Sequence, residues 1–554
     1  MGRWWNADRM GSFGLACKTS LAAGSVVALL LVAACGDKEE QAAGGQSNST
    51  ETAAPAAAID AAKAPIIQKA IDDYLLLAEG PEATRILRHG AVKVTPGTDA
   101  FDVSIEGVTL GTADDTKLDI GTVSYKLTPK GDDAYIASDL RHANVITAKD
   151  KNNAAVGSLA VTTKSFTGEW SSSLETFLSF DWQATDLSAK DDKPEGGNVA
   201  AKTLNVTLSS TDKGGGLFDQ NGKLQLTGFS ALDNTGGTLN IGELNFTGIM
   251  SAVKLKEYVA KTREMQTLMA EIAEAAAKAQ ANAEGQQGDA TAAPTEASGM
   301  SPEQATKFGT LIKGVSGLLG GVKYDITVND AGFKEKDGSE PFRLGQGGLT
   351  MAFDGLDKEK AVVNLGISHD KLSINDPELT ADPLFTKLLP ASGKLDLNLS
   401  EVPSKELWQL IGDNFPNLVA ADAAHSDAAA GIMFIAMQQL LQKAPMKLTV
   451  APSGLNSEVL QLDATGNFDV KPDATLGLVG ALDVGLHGLD EALNLVKEAA
   501  QSSPNAAQIM GGLSMIQSMA KRETGGDGKP VDKLKLEVDA AGDAKVNGMS
   551  LSGM

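Results

Sequence analysis

From about residue 91 to 249 apolar and polar residues alternate with a period of two. Segments such as AFDVSIEGVTL, KLDIGTVSYKLTP, FLSFDWQATDLS and KTLNVTLSS are separated by turns of Gly, Asp and Asn. Successive side chains of a strand point to opposite faces, so this pattern predicts a long antiparallel meander with one wet face and one buried face. Several strands share a local theme in which an alternating stretch meets a glycine and then resumes: LDIGTVSYKL at 118–127, LNIGELNFTG at 239–248 and FRLGQGGLTMAFDG at 342–355. The copies are irregularly spaced. They read as repeated use of one strand-kink-strand device, the glycine permitting a bulge or bend, and not as a fixed-period solenoid.

Helical spacing brackets this β region. Ile66, Ile67, Ala70, Ile71, Tyr74, Leu75 and Ala78 predict a helix over 58–79, stopped by Gly80-Pro81, and a second is expected over 252–280. The stretch 281–300, ANAEGQQGDATAAPTEASGM, is poor in apolar bulk and marks a linker. Ser301-Pro302-Glu303-Gln304 then supplies an N-cap, a proline at the first helical position and a glutamine at N3, so a helix is expected to about Leu319. Strands are expected near 323–335, 342–354, 359–374, 393–400 and through 446–484, with helices near 404–414, 427–443, 489–500 and 504–521 and a final hairpin, KLKLEVDAAGDAKVNGMSLS. The predicted fold is α+β and β-dominated, with long curved antiparallel meander sheets flanked by helices in two halves, 58–280 and 301–554.

The N-terminus predicts where the chain resides. Arg3, Arg9 and Lys18 against Asp8 lead into the apolar run TSLAAGSVVALLLVAAC, the layout of an export signal over residues 1–34. Its ending, Val32-Ala33-Ala34-Cys35, resembles the bacterial lipobox. That resemblance implies cleavage before Cys35, with Val32, Ala33 and Ala34 as recognition positions, and a diacylglycerol thioether on the Cys35 sulfur; no other cofactor is expected. Gly36, where inner-membrane lipoproteins carry aspartate, implies the periplasmic face of the outer membrane, the inner membrane being the alternative. Two other readings stay open: an uncleaved spanning helix, for which 16 apolar residues are short of the ~20 required, and ordinary cleavage after Ala34. Residues 35–57 follow as a polar tether with a reach of about 25 Å.

Charge narrows the partners. The chain carries −23, and removal of residues 1–34 leaves −25, which argues against nucleic acid and against charge-driven adhesion to anionic lipid. Membrane attachment then falls to the acyl chains. Cys17 leaves with the signal and Cys35 is consumed as the anchor, so stability is expected to come from packing without disulfides.

Motifs for chemistry are scarce. Near Gly528-Lys529 a phosphate loop fails because Glu523 stands where its first glycine belongs, and GQGG at 345–348 lacks the remaining spacing of a dinucleotide turn. GVSGLLG at 314–320 is not a nucleophile elbow and reads instead as close helix packing through small residues. His89, His142, His369, His425 and His487 are scattered without metal-ligand spacing, and aspartate pairs such as Asp114-Asp115 lack a calcium-loop pattern. Trp170, Trp182 and Trp408 are few for a carbohydrate cleft. The methionines Met433, Met437, Met510, Met515 and Met519 fall at helical spacing with Ile432, Phe434, Leu513 and Ile516, which reads first as core and second as an adaptable apolar surface.

The glycine-kinked strands, together with the ending in which GLDEALNLVKEAAQ and IMGGLSMIQSMAKRE precede a strand pair, resemble uncharacterised proteobacterial envelope families of unknown function and, more distantly, AsmA-type envelope proteins. The AsmA likeness implies curved sheets with an apolar inner face suited to acyl chains; that family usually carries a transmembrane helix in place of a lipobox. The expected function is that of a non-enzymatic, periplasm-facing envelope lipoprotein that shelters lipid or another apolar ligand. The alternative is a scaffolding lipoprotein that binds an envelope protein.

Overall fold

Glu106-Gly107 and Gly121 decide how the first strands bend. In the computed structural model, which describes residues 59–79, 87–111, 116–192, 197–233, 235–284, 300–420, 426–471, 474, 477–500, 506–526 and 528–551, β1 (Leu87–Arg88) and β2 (Val92–Pro96) both pair with β3 (Phe101–Gly111), which pairs with β4 (Lys117–Pro129). On β3 the buried residues are Phe101, Val103 and Ile105, then Val108 and Leu110, so the phase flips across Gly107, whose φ is +60°. On β4 it flips across Gly121, at φ +79°, from Leu118 and Ile120 to Val123, Tyr125 and Leu127. The β3–β4 register slips on both sides of Val108, which lies opposite Gly121. Facing bulges thus bend the sheet while keeping both halves of each strand on the core side.

The meander continues through β5 (Ala134–Arg141), β6 (Val145–Lys149), β7 (Ala155–Ser171), β8 (Thr176–Asp191), β9 (Asn198–Gly214) and β10 (Leu217–Leu232), all antiparallel. Strands β5 and β6 lie end to end between β4 and β7: β5 pairs with β4 residues 124–129 and β7 residues 167–171, while β6 pairs with β4 residues 117–119 and β7 residues 155–160. The chain leaves the ladder at 142–144. A main-chain hydrogen bond from Val161 N to Asn144 O, 2.9 Å, closes part of the break.

A helix, Ala64–Glu79, lies against this sheet. Its apolar spacing places Ala64, Ile67, Ala70 and Ile71 in the core with β3, β4, β7 and β8. Ile66 belongs to the predicted stripe but is 63% exposed, because at about 100° per residue it falls outside the arc shared by Ala64, Ile67, Ala70 and Ile71. Asp60 accepts a hydrogen bond from Ala62 N at 3.0 Å just before the helix.

The described residues form two compact units. One comprises residues up to 236 with 245–322 and 411–431; the other comprises 237–244, 323–410 and 432 onward. Strand accounts for 53% of the structure and helix for 26%, so the architecture is a β-dominated α+β fold of antiparallel curved sheet flanked by helices. The predicted capping box at Ser301 is formed, with Gln304 N donating to Ser301 Oγ and Ser301 N to Gln304 Oε1, and the helix it opens runs Pro302–Val315. That helix closes on the one at Ser404–Ala420 through facing glycines: a Cβ on Gly309 would stand 2.2 Å from Gly412 O. The small-residue packing expected of 314–320 occurs here instead, since Gly314 and Gly317 meet no neighbouring backbone. The Ser404–Ala420 helix also outlasts its predicted end at 414 and passes through Pro416, held by Phe415 stacked on Phe308 with centroids 4.6 Å apart.

After β11 (Thr238–Lys254) and β12 (Gly321–Lys334), β13 (Phe342–Asp354) in the other unit pairs with β14 (Ala361–Asp370), which pairs with β16 (Ser392–Val402); β15 is the short Ser373–Ile374 beside β13. The glycines of β13 make no bulge, for its ladder from Gln346 to Asp354 is unbroken. Helices Leu489–Ala499 and Ala506–Met519 pack together, and the first buries Leu489, Ala492, Leu493 and Val496. Gly488 caps it at φ +81°, where a Cβ would fall 2.0 Å from Val459 O.

Candidate functional site: an apolar cavity under the first helix

The bend in β3 and β4 leaves space beneath the helix. A cavity of about 200 Å³ lies between them, lined almost wholly by apolar atoms. Ile105, Val108, Ile120 and Val123 from the bulged strands form its floor; Val161, Phe166, Phe177 and Trp182 from β7 and β8 form a wall; Ile71, Tyr74 and Leu75 form the roof. The bulges therefore do local work for the site, because an unbroken alternation would turn half of these floor residues outward.

Aromatic rings brace the roof and wall. Phe177 stands edge-on to Tyr74, Phe166 and Phe180, with centroids 6.1, 6.3 and 5.9 Å apart. At the C-terminal end of the roof helix His89 is clamped by two carboxylates of that helix. Its ring bonds Glu79 through Nδ1 and Asp72 through Nε2, the latter at 3.1 Å, and its main-chain N–H donates to Glu79 Oε1 at 2.8 Å. The His89 and Glu79 side chains are both buried. The clasp ties the helix end to the β1–β2 segment.

His142, in the break between β5 and β6, also borders the cavity. Its Nδ1 lies 2.9 Å from Ala143 O, a group that only accepts, so Nδ1 donates; Nε2 is hydrogen-bonded to the Thr163 hydroxyl at 2.8 Å. Trp182 Nε1 donates to the same Thr163 oxygen at 3.0 Å. This closed relay satisfies the polar atoms exposed where the ladder is interrupted.

Tyr74 and Tyr125 differ from the histidines. Neither phenol hydroxyl has a hydrogen-bond partner among the described residues, and both border the cavity. Burial pushes Tyr74 up to about 12 and raises Tyr125 as well, with Tyr74 adding to the effect on Tyr125. Two half-buried phenols that influence each other thus stand among the apolar walls.

A second apolar surface lies in the other unit. Across β13, β14 and β16 the register aligns Leu349 with Ile367 and Leu395, Met351 with Leu365 and Leu397, and Phe353 with Val363 and Leu399. Phe353, Ile367 and Leu395 are exposed and the other six are half-buried. The helix Ser426–Lys443 likewise leaves Ile432 and Phe434 exposed, so the core position expected for these two gives way to a surface one; Met519 is buried, whereas Met515 is exposed.

Val32, Ala33, Ala34 and Cys35 lie outside the described residues, as does most of the 281–300 linker. Among the described residues no helix is long and apolar enough to cross a membrane, and no group of three or more His, Cys, Asp or Glu side chains is placed to hold a metal ion. Tyr125 and the cavity floor were not singled out in the sequence. Their signal was the interrupted alternation at Gly107 and Gly121, which marks a bend but not what the bend encloses. No protein-family model matches the chain, and no characterised protein or solved structure matches it either.

Proposed function

We propose that the protein is a non-enzymatic envelope lipoprotein, anchored through Cys35 at the periplasmic face of the outer membrane, that shelters an apolar ligand. The observation that carries the reading is the cavity beneath the Ala64–Glu79 helix. Its volume of about 200 Å³ exceeds that of engineered apolar cavities, ~150 Å³, that stay dry and take up small hydrocarbons. Each methylene transferred from water into such a space contributes about 0.8 kcal/mol, so a short hydrocarbon segment suffices for measurable binding. The in-register apolar rows on β13, β14 and β16 support the same reading by offering further apolar surface. The test is uptake of an uncharged hydrocarbon probe by purified protein, read through Trp170 and Trp182 fluorescence. Quenching that saturates is expected; no uptake, together with no lipid in an extract of the purified protein, overturns the reading.

The exposed Ile432 and Phe434 favour a second reading, a scaffold that docks a protein partner on the Ser426–Lys443 helix. In-cell crosslinking from Phe434 that captures one defined envelope protein would support it.

A further inference from the structure

We propose that the cavity selects a neutral ligand, a hydrocarbon chain bearing one uncharged oxygen acceptor such as an ester carbonyl, held by the hydroxyls of Tyr74 and Tyr125. The inference rests on the ligand-sheltering reading and adds the chemistry of the ligand's polar end.

Three observations converge. First, Tyr74 and Tyr125 both line the cavity and are half-buried, and among the described residues neither hydroxyl makes a hydrogen bond, so each is free to donate to an acceptor that enters. Second, no lysine or arginine lines the cavity. Two cations adjacent to lining residues have carboxylate partners: Arg141 donates to Asp139 at 2.8 and 3.0 Å, and Lys126 lies 3.8 Å from the same carboxylate. Third, both imidazoles that line the cavity already have partners. Glu79 and Asp72 flank His89 and occupy both its nitrogens, while His142 is taken up by Thr163 and Ala143, so no imidazole is available to an incoming anion. A free carboxylate would enter without a counter-ion and lose its hydration. An ester or comparable neutral carbonyl avoids that loss and satisfies the phenols.

The experiment compares three probes of one chain length, octane, methyl octanoate and octanoate at pH 8, against the full-length protein and a Tyr74→Phe/Tyr125→Phe variant. Phenylalanine keeps the ring volume, and unchanged octane affinity in the variant establishes an intact cavity. The ester is expected to bind the parent protein at least about tenfold more tightly than octanoate, and to lose about fivefold or more in the variant. Octanoate binding as tightly as the ester, or ester affinity unchanged in the variant, overturns the inference while leaving the sheltering reading standing. Failure of all three probes, octane included, overturns the sheltering reading itself.

Discussion

The ring of Tyr74 on the roof helix meets that of Phe177 on β8 edge to face, with centroids 6.1 Å apart and planes at 76°. Phe177 is 8% exposed and touches Phe166 and Phe180 as well, so one side chain joins the roof of the cavity to its wall. Phe177→Ala is expected to destabilise the first unit by about 3 kcal/mol. Urea unfolding followed by tryptophan fluorescence measures this, because Trp170 and Trp182 lie in the same cluster. Leu76, 50% exposed on the same helix, is the control: Leu76→Ala is expected to change stability by less than about 0.5 kcal/mol.

Thr163 holds Trp182 and His142 together through a single oxygen. Thr163→Val keeps the shape and removes that oxygen, leaving the Trp182 indole N–H without its acceptor in a residue 5% exposed. A cost of about 1–3 kcal/mol is expected, with a shift in Trp182 emission. Thr163→Ser should retain both. Equal stability of the Val and Ser variants would show that the relay is dispensable.

The strands were legible in the sequence because period two survives even where bulges shift its phase. The β3 sequence shows the limit: Phe101 and Leu110 both reach the core only because Gly107 resets the alternation, and the same residue type at 345, 347 and 348 leaves the β13 ladder straight. A glycine permits a bulge, and the pairing partner decides whether one forms. The helix expected at 404–414 runs on through Pro416 for a related reason, since it is held by Phe308 and Gly309, more than a hundred residues earlier in the chain. The cavity was not legible at all. It depends on the helix of Tyr74 and the strand of Tyr125 bordering one space, and nothing local to either tyrosine announces the other.

Alkaline pH tests the burial of the phenols. An unfolded tyrosine ionises near 10, whereas folded Tyr74 ionises only at about 12. Between these values the unfolded chain has released the proton that the folded chain retains, so stability falls as pH rises. The contribution is fully present below pH ~10 and is lost on passing upward to about 12, at up to about 1.4 kcal/mol per pH unit for this residue. Tyr74→Phe is expected to flatten that slope in urea titrations between pH 9.5 and 11.5. An identical slope in the variant would place the ionisation elsewhere.

Arg522 binds Asp532 through Nε and Nη2, both at 3.0 Å, and reaches Asp490 at 2.9 Å. Asp532 is 3% exposed, so it depends on this cation for compensation. Arg522→Met is expected to lower the melting temperature on the order of 5 °C by stranding the Asp532 charge. The hydrogen bond from Arg522 also holds Asp490 below the usual carboxylate range. A lowered folded value means that the Asp490 contribution is present above ~3.9 and lost as pH falls below it. The variant should therefore lose less stability than the parent on acidification from pH 5 to 3, as read by calorimetry.

Gly309 and Gly412 bring two helices into main-chain contact, and each lacks room for a single carbon. A Cβ on Gly309 would stand 2.2 Å from Gly412 O, and one on Gly412 would stand 2.5 Å from Gly309 O. Because the obstacle is backbone, no side-chain rotation relieves it, and the helices must separate. Separation would also disturb the Phe308–Phe415 stack and the 2.7 Å ion pair of Lys313 with Asp413. Gly309→Ala is expected to cost about 1–3 kcal/mol despite the better helix propensity of alanine, which alone would favour the variant by about 1 kcal/mol. Gly314→Ala, whose added carbon would meet nothing nearer than Lys261 Cε at 3.9 Å, should be neutral or stabilising. Opposite signs for the two substitutions in urea unfolding would locate the helix crossing at Gly309; equal effects would refute it.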